Sequence, residues 1–155
     1  MGTVLMNRSG QQPTRQDRGG QMRTFSTFQE VLNVLDDFVA ELEAQGYRDM
    51  EIFGARLALE EAMVNAIKHG HGGDSSKEAV LRYQVTPAQV LVEVEDQGPG
   101  FDPASVPDPC APENLDRPGG RGLLLMRHFM SWVLYNAAGN KVSMGRHRQP
   151  PRGPD

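Results

Sequence analysis

Three polar side chains recur at helical spacing in the stretch LEEAMVNAIKHGHGG, residues 59–73: Glu61, Asn65 and Lys68. A carboxylate, a carboxamide and an ammonium on one helical face could take a proton, ligate a hard cation and meet an anion. Two glycine-bearing segments follow. In VEDQGPGF, Asp96 ends an apolar alternation, and Gly98 and Gly100 allow the backbone to approach a ligand or take positive φ. In RPGGRGLLLM, Gly119, Gly120 and Gly122 precede an apolar helical run, whose free N–H groups and positive dipole end suit a phosphate. Taken singly, these segments also describe a solvated helix face, a common turn and a helix entry loop. His69 and His71 have no acidic or thiol partner nearby at ligand spacing, so they read as a helix terminus rather than a metal site.

The elements that must position these residues are legible from periodicity. Phe28, Val31, Leu32, Leu35, Phe38, Val39 and Leu42 follow the spacing of one buried helical face, with Ser26 and Thr27 as N-cap candidates, Gln29 and Glu30 as capping-box partners and Gly46 as a stop. A second helix is predicted over residues 50–69. Ile52, Leu59, Met63, Ala66 and Ile67 lie on one side, and Glu61 and Asn65 lie next to each other on the other. Ala79, Leu81, Tyr83 and Val85 alternate as a strand, Pro87, Ala88 and Gln89 turn the chain, and residues 90–95 return. A long Pro- and Gly-rich segment, residues 98–122, precedes a short helix over 123–131. Two strands follow over 132–137 and 141–146, joined at Gly139 and Asn140. The order predicts an α+β fold in two layers, with helices on one face of a mixed, mostly antiparallel sheet.

Composition bounds the rest. The 155 residues, 38% hydrophobic and 23% charged, suit one globular domain over residues 23–148. Residues 1–22 lack apolar periodicity and residues 149–155 are Pro-rich, so both read as disordered tails. No apolar run approaches the ~20 residues needed to span a bilayer and no signal-peptide core is present, so a soluble, cytoplasmic protein is expected. The single cysteine, Cys110, reads as a passive loop thiol. Both ends are basic around a strongly acidic body, which argues against a nucleic-acid partner.

Glu61-x-x-x-Asn65, Asp96-x-Gly98-x-Gly100 and Gly120-x-Gly122-Leu123, in that order, resemble the N, G1 and G2 boxes of the GHKL ATPase superfamily. That superfamily includes gyrase, the mismatch-repair ATPases and sensor histidine kinases. LALEEAMVNAIKHG, DQGPGFDP and GGRGLLLM are each similar to the versions in bacterial anti-sigma factor serine kinases, over about residues 23–148.

The resemblance implies a Bergerat-type two-layer fold and use of ATP with Mg²⁺. It implies that Asn65 holds the ion, that Glu61 orients or takes the proton of a hydroxyl, and that Lys68 reaches a phosphate. Asp96 would accept from the adenine amino group, supported by Ser143. Gly98 and Gly100 would line the nucleotide, and Gly120, Arg121, Gly122 and Leu123 would bring backbone to the phosphates beneath a lid formed by residues 101–119. The implied activity is an ATP-dependent protein serine kinase in a partner switch, with an anti-sigma-factor antagonist as the serine-bearing substrate and a sigma factor as the second partner. Family members commonly dimerise, and an exposed part of the first helix could serve that purpose. The alternative is a nucleotide-sensing module that sequesters a partner without phosphoryl transfer. Nothing in the sequence resembles the dimerisation helices and phospho-acceptor histidine of a complete sensor kinase.

Overall fold

The structure, a computed structural model, describes residues 20–72, 74, 76–100 and 121–148, with the side chain of Arg121 left out. Expectations that fall on Cys110, Gly119, Gly120, the lid and the two tails other than residues 20–22 lie outside the described residues. Five strands, β1 (Gln21–Phe25), β2 (Ala79–Val85), β3 (Gln89–Glu95), β4 (Trp132–Tyr135) and β5 (Lys141–His147), form one sheet in the order β1-β2-β3-β5-β4. The α+β, two-layer expectation holds. The sequence reading allows a mixed sheet, but every pairing among the described strands is antiparallel.

Side-chain alternation makes the sheet one-sided. Ala79, Leu81 and Tyr83 on β2, Val90, Val92 and Val94 on β3, and Val142 and Met144 on β5 are all buried. Their opposite faces carry a solvated charge ladder in which Arg82 meets Glu93 at 3.1 Å and Lys141 reaches Glu93 at 4.0 Å. Exposed pairs of this kind contribute little stability and serve mainly to keep that face wet.

Helices α1 (Phe28–Ala44), α2 (Asp49–Asn65) and α3 (Arg121–Phe129) cover the apolar face, with α2 packed between the other two and against β3. Thr27 caps α1 by accepting from the Glu30 N–H at 3.2 Å, while Ser26 instead donates to the Lys77 carbonyl. At its other end, Tyr47 N–H reaches Leu42 O and Gly46 N–H reaches Glu43 O, a Schellman pattern with Gly46 at φ 75°. The buried stripe of α1 is Val31, Val34, Leu35, Phe38 and Leu42. Phe28 and Leu32, expected inside, are 53% and 46% exposed. The helix carries apolar residues on two flanks, and only one of them meets the sheet.

α2 presents Gly54, Ala55, Ala58 and Ala62 to its neighbours, small residues that bring three helices and a sheet close together, while Leu59 and Met63 fill the core. Its last turn is not α-helical. Residues Ala66–His71 form a π-helical turn that ends at Gly72 in the left-handed region.

The corner between α1 and α2 is stapled to the far end of the sheet. Tyr47 donates its hydroxyl to Thr86 O at 2.8 Å. The Arg148 guanidinium lies 4.8 Å over the Tyr47 ring and donates to the carbonyls of Gln45, Gly46 and Pro87.

β1 corrects the expected N-terminal tail: Gln21 and Met22 are in a strand, paired with Tyr83 and Arg82. Only Phe25 of the five strand residues is buried, so no alternation betrays the element; backbone pairing and one anchor hold it. Phe25→Ala should therefore cost about 3–5 kcal/mol, the range for emptying a buried aromatic site. Met22→Ser, at an exposed position, should stay within about 0.5 kcal/mol. Thermal or urea melts decide this, and equal stability of Phe25→Ala and wild type would mean that β1 is not docked.

Candidate nucleotide site

Asp96 follows the last residue of β3 and is fixed by its neighbours. Its N–H donates to Asn140 O at 2.9 Å, and its own carbonyl accepts from Asn140 Nδ2 at 3.2 Å. One carboxylate oxygen, Oδ1, accepts from the Gly98 N–H at 2.8 Å. Asn140 is in turn held by Asn136, whose Oδ1 accepts from the N–H groups of Asn140 and Lys141 and whose Nδ2 donates to Asn140 Oδ1 at 2.7 Å. The turn between β4 and β5 thus clamps the end of β3.

The end of the π-helical turn meets the same carboxylate with bare backbone. A β-carbon at Gly70 would stand 2.5 Å from Asp96 Cβ, and one at Gly98 would stand 2.6 Å from Gly70 Cα. Real β-carbons do not come that close, so both positions require glycine for this approach. Gly100, at φ 76°, rests on the Ala138 carbonyl.

These contacts frame a pocket at one end of the sheet. Val94 and Val142 form its apolar floor, Ala62, Asn65, Ala66 and His69 one wall, and Asp96, Gly100, Tyr135 and the residues 139–141 turn its margins. Burial pushes the Asp96 carboxyl above its ordinary value of 3.8; the Gly98 N–H and the His71 and His69 rings pull it back in part. Burial also pushes the Tyr135 phenol up to about 12. A carboxylate in an apolar pocket with small side walls can accept a hydrogen bond from a flat heterocycle that bears an exocyclic amine.

The second half of the site lies where α3 begins. A β-carbon at Gly122 would stand 2.7 Å from Glu61 Oε2 and 3.1 Å from Asn65 Nδ2. Glu61 and Asn65 are therefore adjacent, as their spacing predicts, and the first turn of α3 covers them. Its leading N–H groups supply donors beside Glu61 and Asn65.

Most of the expected site residues converge. Glu61, Asn65, Asp96, Gly98, Gly100 and Gly122 gather between the end of β3, the end of α2 and the start of α3. Arg121 starts α3, and Gly120 lies outside the described residues. Leu123 is buried in the core, so only its backbone can face a ligand. Lys68 is exposed on the π-helical turn and does not line the pocket; the wider turn changes the angular step assumed for a continuous α-helix.

Ser143 is a correction. It pairs with Glu93 and Leu134 on the solvent face, because Val142 and Met144 on either side of it point inward. The residue beside Asp96 is Asn140. Asn140 and Tyr135 were not singled out from sequence; alternation about the buried Val142 could have placed Tyr135 inward and Ser143 outward. His71 is buried, and both its ring nitrogens are without hydrogen-bond partners among the described residues.

A family model of the histidine kinase-like ATPase domain matches residues 26–146. The serine/threonine-protein kinase BtrW of Bordetella bronchiseptica is 30% identical over 102 residues, 63% of this chain and 72% of that protein. The serine-protein kinase RsbW of Staphylococcus aureus is 28% identical over 109 residues, 65% of this chain and 67% of that protein. Among solved structures, the RsbU and RsbW domains of a Mycobacterium tuberculosis protein superpose with a TM-score of 0.56 at 16% identity; the match covers 87% of this chain and 35% of that one, and it speaks to the fold. The chain belongs to the histidine kinase-like ATPase domain family and is a homologue of the serine/threonine-protein kinase BtrW and the serine-protein kinase RsbW.

Proposed function

We propose that the chain is an ATP-dependent protein serine kinase of a partner switch, one that phosphorylates a serine of an anti-sigma-factor antagonist and, in another state, holds a sigma factor. The observation that carries this reading is convergence: the Asp96 pocket and the Glu61–Asn65 pair, 31 residues or more apart in sequence, meet across one end of α2 under the start of α3. That arrangement offers an acceptor for a purine on one side and groups suited to a polyphosphate on the other. The kinase homologues support transfer over mere binding.

In this reading Asp96 accepts from the adenine amino group while Val94, Val142, Ala62 and Ala66 exclude water from the base. Guanine would turn a carbonyl oxygen toward the same carboxylate, which gives the site its preference. Asn65 offers a hard carboxamide oxygen at the phosphate end, and a cluster of three or more acidic, His or Cys side chains is absent among the described residues. That donor set fits Mg²⁺ held by one protein ligand together with substrate phosphates and water. When bound, the ion neutralises phosphate charge. Glu61, one turn earlier, takes or orients the proton of the attacking serine hydroxyl, and the α3 N–H groups hold the phosphates in line. A cytoplasmic location follows from such partners. The exposed Phe28 and Leu32 on α1 support a contact with a second copy of the chain.

Asp96 yields a test with two signs. Its folded-state pKa is raised, so between 3.8 and that raised value the folded protein holds more proton than the unfolded chain, and the stability of the free protein falls as pH rises through this window. Asp96→Asn removes that penalty, so the free variant should melt no lower than wild type at pH 7. It should nevertheless bind ATP about ten- to a hundredfold more weakly, since an amide donor now faces the adenine amino group. In wild type, ATP affinity should decline as pH drops through the raised carboxyl value. Calorimetric titration with ATP and GTP decides it, and unchanged ATP affinity in Asp96→Asn contradicts the assignment.

Glu61 and Asn65 should fail differently. Asn65→Ala should weaken Mg-ATP binding and abolish transfer together. Glu61→Ala should keep most nucleotide affinity and slow transfer by roughly two to four decades. Single-turnover phosphorylation of a cognate serine-bearing antagonist measures both. Equal rates in Glu61→Ala and wild type would remove the role given to Glu61. A wild type that binds ATP and antagonist yet never transfers phosphate would be a sequestering module.

A further inference from the structure

β4 is an edge strand, and Tyr135 is its last residue. It pairs with Val142, and Val133 pairs with Met144, so Tyr135 points to the helix-covered face. Trp132 and Leu134, opposite Gly145 and Ser143, point away. At this register Tyr135 lies along the pocket margin, beside Val142 and across from Ala62 and Ala66. The apolar residues that line the pocket with it are alanines and valines, so Tyr135 carries the bulkiest of these side chains. Among the described residues, Arg127 of α3 lowers the pKa of the phenol and Asp96 raises it, while burial dominates both. It therefore stays a neutral, flat side chain within electrostatic reach of the carboxylate assigned to the purine amine.

A purine held at Asp96 needs a face as well as an edge contact. Alanine and valine side chains offer little flat surface, and an aromatic ring beside them is suited to cover one side of a heterocycle. We infer that Tyr135 is an affinity-determining wall of the base site, its ring lying against the purine while Asp96 takes the exocyclic amine. This inference rests on the nucleotide reading above. It assigns the contribution to the ring, so Tyr135→Phe should retain it and Tyr135→Leu should not. Because the contact is with the base, the loss should be the same for ATP and for AMP, whereas weakened phosphate contacts would penalise ATP more.

Titrate wild type, Tyr135→Phe and Tyr135→Leu with ATP and AMP, record their melting temperatures without ligand, and measure nuclear Overhauser contacts between the tyrosine ring protons and adenine H2 and H8 in wild type. Tyr135→Phe should stay within about twofold of wild type, and Tyr135→Leu should lose about tenfold or more for both ligands, as expected for loss of one aromatic–base contact. Wild-type spectra should show ring-to-adenine contacts, a signal that a merely structural tyrosine would not give. ATP binding by wild type without such contacts, or equal affinities in Tyr135→Leu, overturns the assignment even if the leucine variant is hard to prepare, since the first measurement needs wild type alone. Failure of wild type to bind ATP at all overturns the nucleotide reading itself, and this inference with it.

Discussion

The arrangement depends on the contact between the bare backbone of Gly70 and the side chain of Asp96. A helix end and a strand end approach here without a β-carbon between them, which lets the helix that carries Glu61 and Asn65 sit directly over the strand that carries the carboxylate. The π-helical turn over Ala66–His71 delivers Gly70 to this position. π turns are rare and cluster at functional sites, because they re-aim side chains without ending the helix. The Asn136–Asn140 turn completes the junction from the other side by pinning both backbone groups of Asp96.

This construction has costs. The Asp96 carboxyl is raised by burial, and His71 is enclosed with both ring nitrogens unmatched among the described residues. Glu51, near the start of α2, is buried with one oxygen unmatched while its other accepts from Arg48 N–H at 3.3 Å. Groups held in such states are disfavoured by desolvation and persist only where the surrounding packing fixes them. That packing is the core under α2, where Phe38 meets Tyr83 edge-on at 5.3 Å and Leu59 and Met63 are fully enclosed.

Much of this was legible in the sequence for a physical reason. Long periodic segments announce their elements, so α1, α2, both hairpins and α3 follow from the sequence, while it is the family resemblance that joins the three polar and glycine-bearing segments into one site. The misses share another cause. Phe28 and Leu32 belong to an apolar flank that no local pattern separates from the buried one. β1 depends on pairing with a strand 58 residues away and has one buried side chain. Lys68 stands on a turn that is π-helical, so its direction does not follow from α-helical spacing. Asn140 acquires its role only when a turn is folded onto the end of another strand. Ser143 is different: alternation with Val142 and Met144 alone sets it on the face away from the helices.

The central claim is that one end of the sheet is a nucleotide site built on Asp96. The most direct measurement follows backbone and side-chain amide signals while Mg-ATP is titrated into the uniformly labelled protein. The account predicts saturable shifts concentrated at residues 62–70, 96–100 and 135–142, with the Asn140 side-chain amide among the largest, and little change on the solvent face at Arg82, Glu93 and Ser143. Saturable binding with the largest shifts on that solvent face and none at Asp96 or Asn140 would contradict it.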